Sequence, residues 1–288
     1  MHRPFRFAFQ PSDSDLEDPA AAAQRAEELG FDVVVLPDHV GTHGPAPLTT
    51  LATMVHATAT IRLGTLVLNH DMRNPVQLAW EIATLDRQSG GRVELGLGAG
   101  HTPQEYAATG IPLHPPAVRK ARLMEGVEVL RQLLDGESVT FRGVHFELDE
   151  AQILPAAQER LPILVGGNGQ QLLAHAGAHA DIVGLQGLGR TLADGHSHTV
   201  KWDPVWLDTQ VEQIRAGAGD RFSDVELNAL VQAVDVTDQR EAALAEICAD
   251  VDGLTMDHAA VAPYLLIGTV EEILDQLHAA RSRWGISY

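Results

Sequence analysis

The sequence predicts an α/β fold of the (β/α)8 class, the TIM barrel. Strand-like and helix-like segments alternate along nearly all of its 288 residues, as expected for a parallel sheet with helical crossovers. Glycine-rich turns follow several different strands, and one alternating stretch reads as a β-hairpin inserted before the fifth strand. Both features favour a barrel over an open, doubly wound sheet, which is the alternative. No linker-like change in composition divides the chain, so we predict one domain over residues 1–288.

Four strands are predicted in the first half of the chain, separated by helices. Asn74-Pro75 is a typical helix start, because asparagine caps the first turn and proline is tolerated at the first helical position. Glycines end two of these helices, at Gly30 and at Gly90-Gly91. The predicted strands are residues 5–10, 32–36, 61–68 and 93–97, and the predicted helices are residues 19–29, 47–58 and 74–89.

The second half continues the alternation. An amphipathic helix over residues 119–134 precedes the hairpin at 138–148, and the fifth strand follows at 163–165. The eighth strand would begin at Ile286, two residues before the last residue, so this strand is either very short or truncated. Residues 188–197 show no clear period and are predicted to form a loop. Further strands are predicted at 181–185 and 226–236, and further helices at 170–179, 203–216, 240–251 and 269–283.

The composition excludes several classes of protein. The formal net charge is −19, and no basic stripe is visible, which argues against nucleic-acid binding. No stretch approaches the ~20 apolar residues of a membrane span, and the N-terminus lacks the apolar region of a secretory signal. The single cysteine, Cys248, excludes a disulfide framework and a multi-cysteine metal site. We therefore expect a cytoplasmic protein that does not bind membranes.

Four predicted strands carry chemically capable residues at their carboxyl ends, where the active site of a barrel lies. Asp38 and His39 follow the second strand, and Asn69 follows the third. Glycines let backbone N–H groups approach an anion or a flat ring. Two glycine-rich ends with two histidines therefore indicate a large ligand with both a ring and a phosphate. These ends are Gly98, Ala99, Gly100 and His101 after the fourth strand, and Gly166, Gly167, Asn168 and Gly169 after the fifth.

Histidines are the candidate catalytic residues. His39 is the first candidate, because an imidazole can donate or accept a proton near neutral pH, and His101 is the second. His175 and His179 lie four residues apart on one predicted helix, a spacing compatible with a zinc pair. No glutamate lies between them, however, and the segment reads as an outer helix of the barrel. We therefore expect no metal.

Motifs spread over nearly the whole chain resemble the luciferase-like flavin and deazaflavin oxidoreductases. The most specific stretches are IRLGTLVL at 61–68, RNPVQLA at 73–79 and TLDRQSGGRVELGLGAG at 84–100. Supporting motifs include AEELGFD at 26–32, ILVGG at 163–167 and LIGT at 266–269. The closing stretches are similar to an actinobacterial subfamily of coenzyme F420-dependent oxidoreductases; they include VDVTD at 234–238 and GISY at 285–288.

The resemblance implies a (β/α)8 barrel with a flavin or deazaflavin held at the strand ends. Related enzymes have a non-prolyl cis peptide bond after the third strand, which by position is Leu66–Val67 here. Several residues match positions that surround the cofactor in these relatives. They are Asp38 and His39 at the edge of the ring, Asn69 and Gln104 as polar contacts, and Gly166 and Gly167 as the backbone that cradles the phosphate.

The chain departs from the sugar-phosphate dehydrogenases of this family at two strand ends. His101 stands where those enzymes carry an acid. The loop Gln186-Gly187-Leu188-Gly189 stands where they carry a lysine for the substrate's phosphate. A sugar-phosphate substrate is therefore not carried over to this chain.

The predicted function is hydride transfer between coenzyme F420 and a small organic substrate, with His39 exchanging the accompanying proton and His101 lining the pocket. The alternative is an FMN-dependent monooxygenase that uses oxygen and reduced flavin from a partner reductase. F420 has a long acidic tail, so the scarcity of basic residues near the fifth-strand loop counts toward this alternative. A barrel that binds a cofactor without catalysis is a third hypothesis. A homodimer through outer helices is common among relatives, although the sequence shows no interface signal.

Overall fold

The computed structural model describes residues 3–41, 44–191 and 198–288. Their packing divides the chain into two compact units. The N-terminal unit contains Arg6–Gly166 and His179–Ile182, and the C-terminal unit contains Gly167–Ala178 and Val183–Tyr288 together with the chain's first residues up to Phe5. The single domain expected from composition stays a prediction.

A parallel sheet forms the centre of the N-terminal unit. Its strands are β1 (Ala8–Phe9), β2 (Val33–Leu36), β3 (Arg62–Thr65), β4 (Leu68–Asn69), β5 (Val93–Gly98) and β8 (Ile163–Gly166). They follow the order β1–β2–β3–β5–β8, and β4 also pairs with β5. The helices of this unit are α1 (Pro19–Glu28), α2 (Pro47–Ala57), α3 (Pro75–Ser89), α4 (Pro103–Thr109) and α5 (Pro116–Leu134).

Local sequence signals account for these elements. All four residues of β2 are buried, as expected for an apolar run covered on both faces. The side chain of Asn74 accepts hydrogen bonds from the N–H groups of Val76 and Gln77 at the start of α3. Gly90 ends this helix in the left-handed conformation, with φ of 69°. The predicted start and end of this helix are therefore confirmed.

The inserted hairpin is confirmed between α5 and β8. Glu125 on α5 anchors its tip, because the carboxylate accepts the N–H groups of Val144, His145 and Phe146 at 2.9, 2.8 and 3.3 Å. The hairpin therefore has a fixed attachment to the helix that precedes it. Its two antiparallel strands are β6 (Val139–Arg142) and β7 (Glu147–Ala151).

The C-terminal unit combines parallel and antiparallel pairs. Strands β9 and β12 are neighbours, β13 and β14 are parallel, and β10 and β11 are antiparallel. Ile286 forms a single parallel bridge with Leu227, at the place where the sequence predicts the start of an eighth strand. The strands are β9 (Ile182–Leu185), β10 (Leu188–Thr191), β11 (His198–Val200), β12 (Glu226–Ala229), β13 (Ala233–Val236) and β14 (Leu265–Gly268). The helices are α6 (Gln170–His179), α7 (Pro204–Ala218), α8 (Arg240–Asp250), α9 (Met256–Ala259) and α10 (Val270–Trp284).

Two segments differ from the prediction. Residues 226–236 form two strands, because the chain changes partner: the N–H of Leu230 reaches the carbonyl of Leu185, whereas that of Gln232 reaches Tyr264. A single uninterrupted strand-like stretch of sequence cannot reveal such a change. Residues 188–191 and 198–200 are paired strands instead of a loop. The described side chains of this ribbon are half-buried, apart from the exposed Thr199, so no fully buried apolar face imposes a period. Residues 192–197 lie outside the described part of the chain.

The α/β class, the parallel pairing and the alternation of strands and helices are confirmed. Within the described residues, no helix combines the length and the apolar character that crossing a bilayer requires.

Candidate functional site

The carboxyl ends of four parallel strands in the N-terminal unit bring the predicted site residues together. Strand β2 pairs with β3, β3 with β5, and β5 with β8, all in parallel. The loops that follow these strands therefore leave the sheet at the same edge. Predicted residues on these loops include Asp38 and His39 after β2, Leu66 and Val67 after β3, Gly98, Ala99, Gly100 and His101 at and after the end of β5, and Gly166 at the end of β8.

Glycines on β5 make room for a backbone bulge in the segment that follows β3. The Leu66–Val67 peptide bond is cis, as the resemblance implies. A Cβ atom on Gly96 would lie 1.9 Å from the carbonyl oxygen of Thr65, and one on Gly98 would lie 2.6 Å from Cγ2 of Val67. Real side chains do not reach such distances. Close backbone approach thus explains why β5 carries glycine at positions 96 and 98.

Asp38 is buried and anchors the turn that carries Asn69. One carboxylate oxygen accepts the N–H of Asn69 at 2.8 Å and also pairs with the guanidinium of Arg73. Arg73 in turn donates to the carbonyl oxygen of Asn69 at 2.9 Å. The carboxylate of Asp38 therefore fixes the backbone of the turn after β4. This geometry gives the predicted site residue a structural task in addition to its place at the strand ends.

Asn69 presents a buried hydrogen-bond donor to the site. Its Oδ1 accepts the N–H of Asp71 at 3.1 Å and the hydroxyl of Tyr106 at 3.4 Å. Its Nδ2 is buried and has no hydrogen-bond partner among the described residues. A buried donor without a partner costs about 1–3 kcal/mol. A ligand that offers an acceptor atom would remove this cost, so the residue fits a predicted polar contact with a bound ring.

Gly100 allows Asn69 and Tyr106 to approach the loop after β5. Its φ is 69°, and a Cβ atom would lie 2.3 Å from both Oδ1 of Asn69 and the hydroxyl of Tyr106. Arg119 on α5 holds the same loop, since its Nε donates to the carbonyl oxygens of Ala99 at 3.3 Å and Gly100 at 3.1 Å. The loop is thus fixed from two sides.

His39 is hydrogen-bonded to a buried carboxylate. Its Nδ1 lies 2.7 Å from Oε1 of Glu105 on α4, and the side chain of Glu105 is 2% exposed. The hydrogen bond to Glu105 raises the pKa of His39, and burial opposes that shift in part. The carboxylate of Glu105 thus orients the imidazole ring through Nδ1.

His101 lies beside His39. The two ring centroids are 6.0 Å apart and the rings are nearly perpendicular, at 86°. The structure therefore brings both predicted catalytic histidines to one place. Gln104 is exposed and lies on α4, one residue before Glu105.

The glycine-rich turn after β8 continues from Gly166 into the C-terminal unit. Gly167 and Gly169 have φ of 154° and 102°, and a Cβ atom on Gly167 would lie 2.6 Å from Cδ2 of Leu172. Between them, Asn168 donates from Nδ2 to the carbonyl oxygen of Leu188 at 2.7 Å. The side chain of Asn168 is thus engaged within the protein, and the turn presents mainly backbone.

Sequence reasoning missed Glu105, Arg73, Tyr106 and Arg119. Helix α4 has only seven residues, too short for a clear period, so its buried face was not visible. Its proline start after Thr102 and its end at Gly110 were the signals that could have located it.

Comparison with known proteins places these residues in context. The family model described as luciferase-like monooxygenase matches residues 4–283. An F420-dependent glucose-6-phosphate dehydrogenase from Amycolatopsis mediterranei (strain U-32) is 33% identical over 166 residues, which cover 55% of this chain and 50% of that protein. The chain thus spans about half the length of the curated relatives it matches.

Two solved structures share the fold over almost the whole chain. The coenzyme F420-dependent tetrahydromethanopterin reductase from Methanopyrus kandleri has a TM-score of 0.78 at 19% identity, covering 99% of this chain and 92% of that one. An F420-dependent secondary alcohol dehydrogenase, solved with an F420–acetone adduct, has a TM-score of 0.77 at 21% identity with the same coverage. At these identities the likeness shows the fold alone.

Proposed function

The chain belongs to the luciferase-like monooxygenase family, and from this premise we propose that it is an F420-dependent oxidoreductase acting on a small organic substrate. The observation that carries the proposal is the hydrogen bond between His39 and the buried Glu105 at the strand ends. Curated relatives named F420-dependent glucose-6-phosphate dehydrogenases support the choice of cofactor. The names of the structural neighbours point the same way.

The residues at the strand ends fit a bound deazaflavin. Asn69 offers a buried N–H donor without a partner among the described residues, which suits a ring carbonyl or ring nitrogen. Gly98, Ala99 and Gly100 offer a backbone surface at the end of β5. Asp38, the bulge at Leu66 and Val67, and Gln104 complete the ring contacts that the resemblance assigns, and Gly166, Gly167, Asn168 and Gly169 would hold the phosphate.

When bound, F420 supplies two-electron hydride chemistry, and the protein positions it and handles protons. His39 handles the proton at Nε2, because its Nδ1 is held by Glu105. The buried carboxylate favours the protonated imidazole and raises the pKa of His39, so this histidine stays protonated to a higher pH than an ordinary histidine. When the reaction runs in the opposite direction, the same carboxylate stabilises the imidazolium that forms. His101 lines the pocket beside it.

One observation keeps the FMN-dependent monooxygenase as a second candidate. No lysine or arginine occurs between Arg160 and Arg190, a segment that includes the whole turn after β8. This segment offers no cation to the acidic tail of F420, whereas FMN ends at its phosphate and has no such tail. This candidate requires a partner reductase and oxygen. A homodimer also stays a prediction, which light scattering of the purified protein would check.

A paired binding titration tests the proposal. The purified protein is titrated with F420 and with FMN, each oxidised and reduced, following fluorescence. We expect tight F420 binding and weak FMN binding, followed by turnover in a screen of reducible enones and imines and of oxidisable alcohols. Tight FMN binding with weak F420 binding would favour the monooxygenase, and oxygen consumption with a reductase would then be measured. Binding of neither would overturn both candidates; binding without turnover would indicate a non-catalytic barrel.

A further inference from the structure

Two side-chain amides in the C-terminal unit, the buried Gln210 and the half-buried Asn168, support the glycine-rich turn after β8. Nε2 of Gln210, on α7, donates to Oδ1 of Asn168 at 2.8 Å. Nδ2 of Asn168 donates to the carbonyl oxygen of Leu188 on β10 at 2.7 Å. Gln210 is 1% exposed. A helix residue 42 positions away in sequence thus reaches the centre of the turn through one side chain.

The donors and acceptors in this series of hydrogen bonds allow only one orientation of each side-chain amide, that of Asn168 and that of Gln210. A backbone carbonyl can only accept, so the end of Asn168 that meets Leu188 must be its NH2 group. The opposite end of Asn168 is then its oxygen, which must accept. Gln210 therefore presents its own NH2 group, and the donor and acceptor assignment is fixed from Leu188 to α7.

Gln210 keeps this contact at a cost. Its Oε1 is buried and has no hydrogen-bond partner among the described residues. A buried acceptor without a partner is unfavourable, and an apolar side chain on this buried face of α7 would avoid the penalty. The packing of α7 alone therefore does not explain a glutamine here, whereas its bond to Asn168 does.

We propose that Gln210 is a positioning residue that holds the Gly167–Gly169 turn in the shape needed to bind the cofactor's phosphate. This inference rests on the proposed function, since it assumes a phosphate-bearing cofactor. Gly167 and Gly169 adopt φ of 154° and 102°, a conformation that other residues rarely adopt. Asn168 between them is the residue that can tether the turn by its side chain. With that side chain held by Gln210 and Leu188, the backbone N–H groups of the turn keep one arrangement.

The test compares two ligands that differ by the phosphate and the acidic tail attached to it. Wild type, Gln210→Leu and Gln210→Glu are titrated with F420 and with the deazaflavin alcohol that lacks the phosphate and the acidic tail. The glutamate variant keeps the shape of the side chain but, as a carboxylate, presents only acceptors to Asn168. The control is Gln213→Leu, which makes the same change one turn along α7, at a residue whose Oε1 is also buried without a partner among the described residues.

We expect both Gln210 variants to raise the Kd for F420 at least tenfold and to leave the Kd for the deazaflavin alcohol within twofold. Gln213→Leu should change neither. If the Gln210 variants bound both ligands equally more weakly than the wild type, or bound both as tightly as the wild type, the positioning role would be overturned. A Gln210 variant that fails to fold would be recognised by the loss of its thermal unfolding transition. The other Gln210 variant then provides the test.

The wild-type titrations separate this inference from the proposed function. If the wild type prefers FMN to F420, the cofactor assignment fails, and the comparison is repeated with FMN and riboflavin, which also differ by the phosphate. If the wild type binds neither phosphate-bearing ligand, both proposals are overturned.

Discussion

Nδ1 of His39 lies 2.7 Å from Oε1 of Glu105, a carboxylate that is 2% exposed. The two residues come from different elements, the loop after β2 and helix α4, and are 66 positions apart in sequence. Because Glu105 is buried, its interaction with the imidazole is screened by little water. The carboxylate of Glu105 therefore raises the proton affinity of His39. Each of the two residues can be substituted separately to test this relationship.

The first prediction concerns the charge of Glu105. Gln can keep a hydrogen bond to His39 but carries no charge, so Glu105→Gln should lower the pKa of His39, because the negative charge of Asp38 is then the only one left to oppose the effect of burial. A reaction that needs protonated His39 should then lose rate at lower pH than in the wild type, and kcat at neutral pH should fall by about 10-fold or more. The measurement is the pH profile of kcat.

Glu81→Gln, on the exposed face of α3, is the matched control and should leave the profile unchanged. A Glu105→Gln profile that superimposes on that of the wild type would show that Glu105 does not tune His39.

The second prediction concerns His39 itself. A positioned acid–base group contributes roughly 10²–10⁴-fold in rate, so His39→Ala should lower kcat by an amount in this range. The ring contacts assigned to Asn69 and the backbone of Gly98 stay intact, and cofactor affinity should therefore remain within a few-fold. Steady-state turnover and a cofactor titration of the same preparation check both statements.

His56→Ala provides the control, because His56 is exposed on α2. An unchanged kcat in His39→Ala would remove His39 from the mechanism, and a collapse of cofactor binding would make it a binding residue instead.

The sequence could place the candidate site residues near one another because the information it needed was local. Short apolar runs followed by Asp38-His39 or by glycine identify a strand and its carboxyl end within about ten residues. The parallel sheet then requires those ends to share one edge. The two histidines could therefore be placed together in advance, and their ring centroids are indeed 6.0 Å apart.

The partners of these residues could not be predicted in the same way. Glu105 lies on a helix of seven residues, and its partner is far away in sequence. Nothing in the neighbourhood of Gln210 indicates that it meets Asn168. Such pairs depend on how segments that are distant in sequence pack against each other. The hydrophobic periodicity of a single sequence does not reveal which segments these are.

The third prediction concerns a glycine within α5. Nε2 of His70 lies 1.8 Å from where a Cβ atom on Gly126 would be, so the His70 ring fills a notch in the helix. In an open helix, glycine to alanine stabilises by about 1 kcal/mol. Here overpacking should reverse the sign, and Gly126→Ala should destabilise the protein by about 1–3 kcal/mol, measured by urea unfolding.

The double variant Gly126→Ala with His70→Ala is the internal control. Without the imidazole the notch is empty, and the added methyl group should now cost nothing or stabilise the protein. Additive effects in this double-mutant cycle would contradict a direct contact between the two residues.

The last prediction is that His70 makes the protein sensitive to mild acid. His70 is fully buried, and neither ring nitrogen has a hydrogen-bond partner among the described residues. Burial, helped by the positive charges of Arg122 and Arg73, lowers its pKa to about 3, whereas an ordinary histidine has a pKa of 6.5. Well above pH 6.5 both the folded and the unfolded chain carry neutral His70, and its titration then contributes nothing to the pH dependence of stability.

Between these pKa values the unfolded chain takes up a proton and the folded chain does not. The free energy of unfolding should therefore fall by up to about 1.4 kcal/mol for each pH unit below 6.5 from this residue alone. Urea unfolding of the wild type and of His70→Leu at pH 7.5, 6.5, 5.5 and 5.0 isolates the effect, since all other groups titrate in both proteins. We expect the wild type to lose about 1–2 kcal/mol more than the variant between pH 6.5 and 5.0. If the free energy of unfolding depended on pH in the same way in the wild type and in His70→Leu, the folded protein would have to accommodate a charged His70. The positive charges of Arg122 and Arg73 beside it argue against that.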